Sequence, residues 1–452
     1  MTISNAENTE IKAYFFLGIG GIGMSALARY FNAKGFRVAG YDKTRTPLTN
    51  TLVEEGVDVF YDDTIDLVAS DFLDHRRCEL VFTPAMPKDL ALLRMFVEQG
   101  FVPKKRAEIL GQISRQNDTL AVAGTHGKTT TTAILSHLMH NSGQDCTSFI
   151  GGIANNFQSN YVIGKQDLMV VEADEFDRSF LQLDPLHAVI NSMDADHLDI
   201  YGSADQLTDG FKAFSKLVKG KMVAKLGLPI AADYRFSLRE KTDFYVSNLA
   251  IQNGESSFQL NFPEGEVVDV NYIYPGLHNI ENAIAAASLA YLYGVTPVDI
   301  AKGLATFTGV KRRFDRWEID GKVYIDDYAH HPAEIKALIQ SVREYYPLQE
   351  VQVIFQPHLF TRTRDFMDDF AESLGLADKV FLLDIYPARE QAIEGINSEV
   401  LASKIKGIEV TLCKPEEMLE IIKGKSFELL ITMGAGDIDK LVEPIKNILK
   451  DN

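Results

Sequence analysis

The sequence predicts an α/β chain of three domains: an N-terminal Rossmann-like domain, a central P-loop-type mononucleotide-binding domain with a small antiparallel excursion, and a C-terminal Rossmann-like domain. Three observations predict it. Apolar runs of strand length alternate with helical stretches from one end to the other, the pattern of largely parallel sheets. Two of these strands run into glycine-rich turns that open helices, GIGGIG at 18–23 and GTHGKTTTT at 124–132. The length, 452 residues, holds about three domains of roughly 150 residues each.

In the first domain, 1–107, the apolar run AYFFL (13–17) precedes GIGGIG. A helix is expected over 24–34, a strand over 37–40 ending at Asp42, and a strand at 80–83 that enters the loop TPAMP. The basic, proline-bearing segment VPKKRAE (102–108) reads as the link to the next domain. The central domain, 108–310, opens with the strand TLAVA (119–123) and GTHGKTTTT, then a helix to His140. A strand at 168–171 runs into EADE, and one at 187–191 into SMDADHLD. Alternation and turn residues over 233–275 read as the antiparallel excursion. A helix follows over 278–293. The C-terminal domain, 311–452, has strands at 323–326, 351–355, 379–383 and 429–432, each followed by a polar loop: DDYAHHP, QPHLFTRTR, DIYPARE and GAGD. In open α/β sheets the ligand site lies outside the carboxyl ends of the strands, so these loops are candidates.

Composition narrows the function. Hydrophobic residues at 46% and charged residues at 24% are those of an ordinary globular chain and exclude a disordered one. Lys plus Arg number 45 against 63 Asp plus Glu, a formal net charge of −18. That argues against nucleic acid or an anionic membrane as partner. Anionic substrates must then be drawn by local cations and oriented backbone N–H groups. Cys78, Cys146 and Cys413 are odd in number and far apart, which suits a reducing compartment rather than a disulfide framework. Without a secretory leader pattern or an apolar span of membrane length, a cytoplasmic protein is expected.

The strongest local signal is GTHGKTTTT. Its backbone N–H groups at a helix N-terminus can cradle phosphates, with Lys128 reaching the outer phosphates and the Thr129 hydroxyl on Mg²⁺. The spacing is shorter than a full Walker A. GIGGIG fits GxGxxG through Gly18, Gly20 and Gly23, with Asp42 about 20 residues on as a ribose partner. Any diphosphate fits such a helix end, so the motif alone does not choose a dinucleotide. EADEFD (172–177) and DADHLD (194–199) follow strands of the P-loop block, and Glu172 and His197 are the metal candidates beside Thr129. Arg313 in KRRFD could stabilise a transferring phosphoryl group. An arginine of the 355–364 segment, Arg362 or Arg364, could clamp a carboxylate. His330 and His331 are adjacent, so their side chains diverge and cannot share one role. GAGD could close over a ligand or only make a tight turn.

Taken together, GIGGIGMS, TPAMP, AGTHGKTTTT, GGIANNF, VEADEFDRSFL, NSMDADHLDIYG, GLHNIENA, GVKRRFD, DDYAHHP, FQPHLFTRTRDF, DIYPARE and GAGDI resemble the Mur ligases, most closely their alanine-adding branch. The resemblance implies a UDP-sugar domain, a central ATPase domain and an amino-acid-binding domain. It implies that ATP drives amide formation between L-alanine and the lactyl carboxylate of UDP-N-acetylmuramate through an acyl phosphate, with Mg²⁺. Gly18, Gly20, Gly21, Ile22, Gly23, Asp42, Thr83, Pro84 and Ala85 would hold the UDP-sugar. Gly124, Thr125, His126, Gly127, Lys128, Thr129 and Thr130 would hold the phosphates of ATP. His278, Asn279 and Asn282 would contact the adenine side, Arg313 the γ-phosphate and Asp327 the ribose. Thr129, Glu172 and His197 would surround the metal, and His330 and Arg362 would orient the amino acid. Lys128, His197, Arg313 and His330 are the catalytic candidates. Leu359 stands where some homologues have Arg, and Lys212 stands near where several Mur ligases carry a carbamylated lysine; no role is assigned to it.

The resemblance leaves as alternatives a related ligase that attaches a whole tripeptide, or a folylpolyglutamate synthase, with which single motifs are shared. An NAD-dependent oxidoreductase leaves GTHGKT and the carboxylates unexplained. A P-loop regulatory module would hydrolyse ATP without needing an amino acid. The expected partners are small molecules, with the chain a monomer or homodimer.

Overall fold

The computed structural model describes residues 10–84, 86, 87, 89–194, 201, 203–252, 254–388, 390–424 and 427–451. Two candidates, Ala85 and His197, lie outside the described residues. The chain forms two compact units. One comprises the chain up to Tyr245 with Phe262–Glu266 and Ala283–Gly303; the other comprises Val246–Asn261, Val267–Asn282 and the chain from Leu304 on.

The first unit opens with a sheet of β1 (Ala13–Leu17), β2 (Arg37–Tyr41), β3 (Asp58–Phe60), β4 (Cys78–Phe82) and β5 (Lys104–Lys105), in the order β3-β2-β1-β4-β5. Every pairing in it is parallel. Phe15, Phe16 and Leu17 of β1 are all fully buried, which is why a central parallel strand reads as an unbroken apolar run. Each such side chain contributes roughly 1.5–3 kcal/mol on burial. The segment read as a linker is instead β5 followed by a helix, Arg106–Ser114. A two-residue strand of lysines carries no apolar signal, which is why it reads as a link. The boundary drawn at 107/108 falls inside that helix.

The second sheet of this unit contains β6 (Asp118–Ala123), β7 (Thr147–Ala154), β8 (Ser159–Val162), β9 (Leu168–Ala173), β10 (His187–Ile190), β11 (Met222–Lys225), β12 (Tyr234–Ser237) and the start of β13 (Phe244–Gln252). The order is β13-β12-β11-β10-β6-β9-β7-β8. Here the excursion differs from expectation. β12 and β13 join in parallel, and β7 with β8 forms an antiparallel pair that the sequence reading missed. The parallel return from β11 to β12 has no helix. Arg235 stitches it instead, donating to the carbonyls of Lys225, Leu228 and Ile230.

One core runs through this unit, from Phe16, Leu27 and Phe31 to Phe149, Tyr161 and Tyr201. The helix after GIGGIG, Ile22–Ala33, is fixed to β8. The buried Asn160 Nδ2 donates to Ile22 O at 2.6 Å and to Ser25 Oγ at 2.9 Å. Arg29 Nη1 donates to Ser159 Oγ at 2.7 Å.

In the second unit β14 (Glu255–Asn261) and β15 (Val267–Tyr272) form the antiparallel pair of the excursion. A further sheet holds β16 (Asp315–Ile319), β17 (Lys322–Asp327), β18 (Val351–Phe355), β19 (Lys379–Leu382), β20 (Glu409–Leu412) and β21 (Leu429–Met433), in the order β16-β17-β21-β18-β19-β20. All its pairings are parallel except β16 with β17. Asp327 pairs with Met433, Phe355 with Met433, and Phe355 with Leu382. Four strands, β17, β21, β18 and β19, therefore end level, and the loops after them gather at one edge. No helix among the described residues is long and apolar enough to cross a membrane.

Candidate active site

The glycine turn at 18–23 is built to expose N–H groups. Gly18 has φ +86°, and a Cβ there would lie 2.8 Å from Thr83 Cγ2; both facts require glycine. Gly18 and Ile19 donate to Tyr41 O at 2.8 and 3.1 Å. The helix begins at Gly21 without a side-chain cap and without an acidic residue in its first turn. Asp42 accepts from Gly20 N at 2.8 Å and from Thr44 N at 3.0 Å. Its carboxylate, expected from the sequence to partner a ribose, holds the backbone of the turn. Thr83 and Pro84 leave β4 beside Gly18.

The second turn is tighter. Gly124 has φ +136° and Gly127 φ +79°. Thr125 N donates to Ser192 O at 3.2 Å, and His126 N to Ser192 Oγ at 2.8 Å. The loop after β10 therefore backs the 124–127 turn. Gly127 caps the helix Lys128–Asn141, which again has neither a side-chain cap nor an acidic first turn. Lys128 Nζ donates to Gly124 O at 2.8 Å and to both oxygens of Glu175, at 2.9 and 2.8 Å. Burial opposes its charge, but Glu175, Asp174 and Glu172 outweigh burial and raise the pKa above the ordinary lysine value. Thr130 is buried beneath the turn.

Thr129 Oγ1 donates to Glu172 Oε1 at 2.7 Å. Gly151 of β7 faces that carboxylate, and a Cβ there would lie 1.9 Å from Glu172 Oε2. A hydroxyl and a carboxylate side by side are the hard oxygen donors that Mg²⁺ takes. Among the described residues no group of three or more His, Cys, Asp or Glu gathers as a metal cage. Lys212 is half-exposed and pairs with Asp209 at 3.2 Å.

In the second unit the KRRFD turn carries two arginines, both over the Tyr328 ring, Arg312 at 5.2 Å and Arg313 at 5.0 Å. Arg312 (φ +61°) and Phe314 (φ +47°) adopt left-handed backbone. Arg312 Nε pairs with buried Asp326 at 3.2 Å, and its Nη2 donates to Gly434 O at 2.5 Å. Burial pushes Asp326 up to about 7, against the pull of Arg312 and Thr432. Arg313 lies 5.0 Å over the Tyr328 ring, and Tyr274 Oη donates to its carbonyl. Asp327 is buried, its pKa raised by burial against Arg313, and it accepts from Phe314 N at 2.6 Å and Ala329 N at 2.7 Å. Nearby, His278 Nδ1 lies 3.2 Å from Ser341 Oγ, and burial with Arg313 holds it down at about 4. Asn279 Nδ2 donates to Pro275 O at 2.6 Å, and Asn282 Nδ2 to Asn279 Oδ1 at 3.3 Å.

The two adjacent histidines do diverge. His331 precedes the helix Pro332–Tyr345 and accepts from Ala333 N at 3.4 Å. His330 pairs with Glu334 at 3.2 Å, and its ring centroid lies 6.2 Å from that of His358. Arg362 Nη1 lies 3.5 Å from His358 Nδ1. Burial, then His330 and Arg362, hold His358 down at about 4. Arg364 instead is half-exposed and pairs with Asp365 at 2.7 Å. GAGD is tied to β18's loop: Gln356 donates to Asp437 and accepts from Ile438 N, each at 2.9 Å. Sequence reasoning missed Glu175 as the partner of Lys128, Ser192 behind the phosphate turn, and Arg312 as the anchor beside Arg313.

Three family models cover the chain in order: "Mur ligase family, catalytic domain" over 13–118, "Mur ligase middle domain" over 122–290, and "Mur ligase, glutamate ligase domain" over 312–436. The chain belongs to the Mur ligase family. It is 47% identical over 451 residues to a UDP-N-acetylmuramate–L-alanine ligase of Parabacteroides distasonis, covering 97% of this chain and 98% of that protein. It is 48% identical over 444 residues to the ligase of the same name from Christiangramia forsetii, with the same coverage. Among solved structures, it is similar to a UDP-N-acetylmuramate–alanine ligase from Thermotoga maritima, with a TM-score of 0.82 and 27% identity over 97% of this chain and 98% of that one. A murein peptide ligase from Psychrobacter arcticus shares the fold, with a TM-score of 0.69 at 22% identity over 98% of this chain and 99% of that one.

Proposed function

We propose that the chain is an ATP-dependent ligase that joins L-alanine to the lactyl carboxylate of UDP-N-acetylmuramate in peptidoglycan precursor synthesis. The observation that carries this is the end-to-end match to alanine-adding ligases at 47–48% identity. A carboxylate is a poor electrophile. Its oxygen attacks the γ-phosphorus of ATP, ADP leaves, and the acyl phosphate now has a good leaving group. The alanine amine then attacks the acyl carbon, phosphate departs, and the amine loses a proton.

In this reading the N–H groups of the 124–130 turn and the Lys128 ammonium hold the phosphates of ATP. Lys128 stays charged because Glu175 lies against it, so it offsets the repulsion between two anions. Thr129 and Glu172 would hold Mg²⁺, with His197 as a third donor; when bound it neutralises phosphate charge. Arg313 and Asp327 serve ATP at the γ-phosphate and ribose, and His278, Asn279 and Asn282 serve the adenine. His330 and Arg362 orient alanine, the guanidinium through the substrate carboxylate. The 18–23 turn, Asp42, Thr83, Pro84 and Ala85 hold the UDP-sugar. The three-domain division at 107/108 and 310/311 belongs to the same reading. So does a cytoplasmic location, which three buried free cysteines favour.

The test offers UDP-N-acetylmuramate with either L-alanine or a tripeptide as acceptor and weighs the product. A product heavier by one alanine residue supports the reading. Preference for the tripeptide assigns the chain to the peptide-attaching relatives instead.

A further inference from the structure

We propose that Arg106 is a cationic contact for the diphosphate of the sugar nucleotide, an assignment that rests on the functional reading above. The first observation is register. Leu17 pairs with Phe82, and Phe82 with Lys105. The next residues, Gly18, Thr83 and Arg106, therefore leave three neighbouring strands at one level, on the edge that carries the glycine turn. Gly18 and Thr83 already belong to the sugar-nucleotide site; Arg106 is the third member of the row.

The second observation is a cation placed where a helix disfavours one. The helix Ile22–Ala33 presents its positive end at the turn, where anions gain and cations lose. Yet the Arg106 guanidinium packs against its first turn. A Cβ on Gly23 would lie 2.5 Å from Arg106 Nη1 and 3.2 Å from Cζ. Gly23 does not adopt positive φ, so its use here is its lack of a side chain, which admits the guanidinium.

The ion pair that Arg106 makes does not account for this position. Asp174 Oδ2 lies 3.3 Å from Nη2, with 27% and 36% of the two side chains exposed. A pair so exposed contributes little. Its neighbour Lys105 pairs with Asp177 at 2.6 Å, and β5 holds the backbone, so the arginine is aimed by the chain. An anion at the glycine turn reverses the balance. A diphosphate oxygen accepts from the helix N–H groups on one side and from the guanidinium on the other, and a charge-assisted bond replaces an unfavourable approach.

Calorimetric titration of the whole chain tests this, with UDP-N-acetylmuramate and ATP measured separately on wild type, Arg106→Ala, Arg106→Lys and Asp174→Asn. Arg106→Ala should weaken the sugar nucleotide by about ten- to a hundredfold, the range for losing a charged hydrogen bond. Arg106→Lys, which keeps the charge and not the fork, should recover part of that loss. ATP affinity should not change. Asp174→Asn should retain or strengthen sugar-nucleotide binding, since it removes the competing acceptor. Wild-type affinity in Arg106→Ala overturns the proposal. So does equal weakening of both ligands, or an Asp174→Asn loss as large as that of Arg106→Ala, because either makes the ion pair a structural clasp. A wild-type chain that binds ATP but no UDP-sugar overturns the functional reading itself, and this assignment with it.

Discussion

Replacing Lys128 by methionine removes an ammonium that serves two purposes, and the structure separates them. Its Nζ bonds both Glu175 oxygens at 2.8 and 2.9 Å and Gly124 O at 2.8 Å. Glu175 is 0% exposed. Without the lysine its carboxylate is a buried charge stripped of its counter-charge, and breaking such a pair from one side costs about 3–5 kcal/mol. At about 2–4 °C per kcal/mol for a cooperative unit of this size, the thermal midpoint should fall by roughly 6–20 °C. Lys128→Met with Glu175→Gln removes both charges, so most of that fall should be recovered. Turnover should not be recovered. The cation facing the phosphates is absent in both variants, and losing one such group costs about a hundred- to a thousandfold. Scanning calorimetry and phosphate release, run on the same preparations, read the two effects. A raised lysine pKa contributes stability that is lost only as pH rises through that raised value. In Lys128→Met the orphaned Glu175 carboxyl loses its penalty on taking up a proton, so the midpoint gap to wild type should narrow as pH falls. A single variant with the wild-type midpoint refutes the buried-pair reasoning. A double variant with wild-type turnover refutes the phosphate assignment.

Three further outcomes are expected. Gly20→Ala places a Cβ 2.7 Å from Thr49 Cγ2 and 2.8 Å from Asp42 Oδ2, so it should raise KM for UDP-N-acetylmuramate and leave KM for ATP unchanged; steady-state kinetics check this. His331→Ala should lower stability by about 0.5–2 kcal/mol, the usual cost of a lost helix cap, with KM for alanine kept. His330→Ala should do the reverse, and thermal melts with alanine titrations separate them. His358 is held at about 4 by burial, His330 and Arg362, whereas an unfolded histidine protonates near about 6.5. The unfolded chain then binds a proton that the folded one refuses, so stability is present above about pH 6.5 and is lost as pH falls toward about 4. His358→Asn should flatten part of the acid decline in thermal midpoint; His278 and His137, also held at about 4, and His140 and His187, also lowered by burial, contribute to what remains. An unchanged slope contradicts the assignment.

The parts of this protein that were legible in the sequence are those where residue type and position coincide. Gly124 and Gly127 are required by the positive φ of the turn that opens the helix at Lys128, and a strand before with a helix after is enough to place them. The same holds for Thr129 beside Glu172, where the carboxylate ends a strand next to the turn. What was hidden depends on local backbone that the sequence does not mark. In EADEFD the carboxylate that meets Lys128 is Glu175, past the strand end, and nothing in the run of acids selects it. In KRRFD the backbone is left-handed at Arg312 and Phe314 with no glycine within the run to announce it, and of two arginines that both lie over the Tyr328 ring it is Arg312 that reaches Asp326. Leu359 likewise adopts φ +73° without a glycine signal. The segment 233–275 reads as one antiparallel excursion, yet β12 and β13 pair in parallel, and the helix-free return from β11 to β12 is held by Arg235, whose three bonds to backbone carbonyls no sequence pattern marks.

The most direct test of the central claim is phosphate release from ATP and Mg²⁺ with UDP-N-acetylmuramate, measured with and without L-alanine. The account predicts sustained release only when both are present, with one alanyl product formed per phosphate. Equal release in the absence of either substrate would contradict it and leave a plain ATPase.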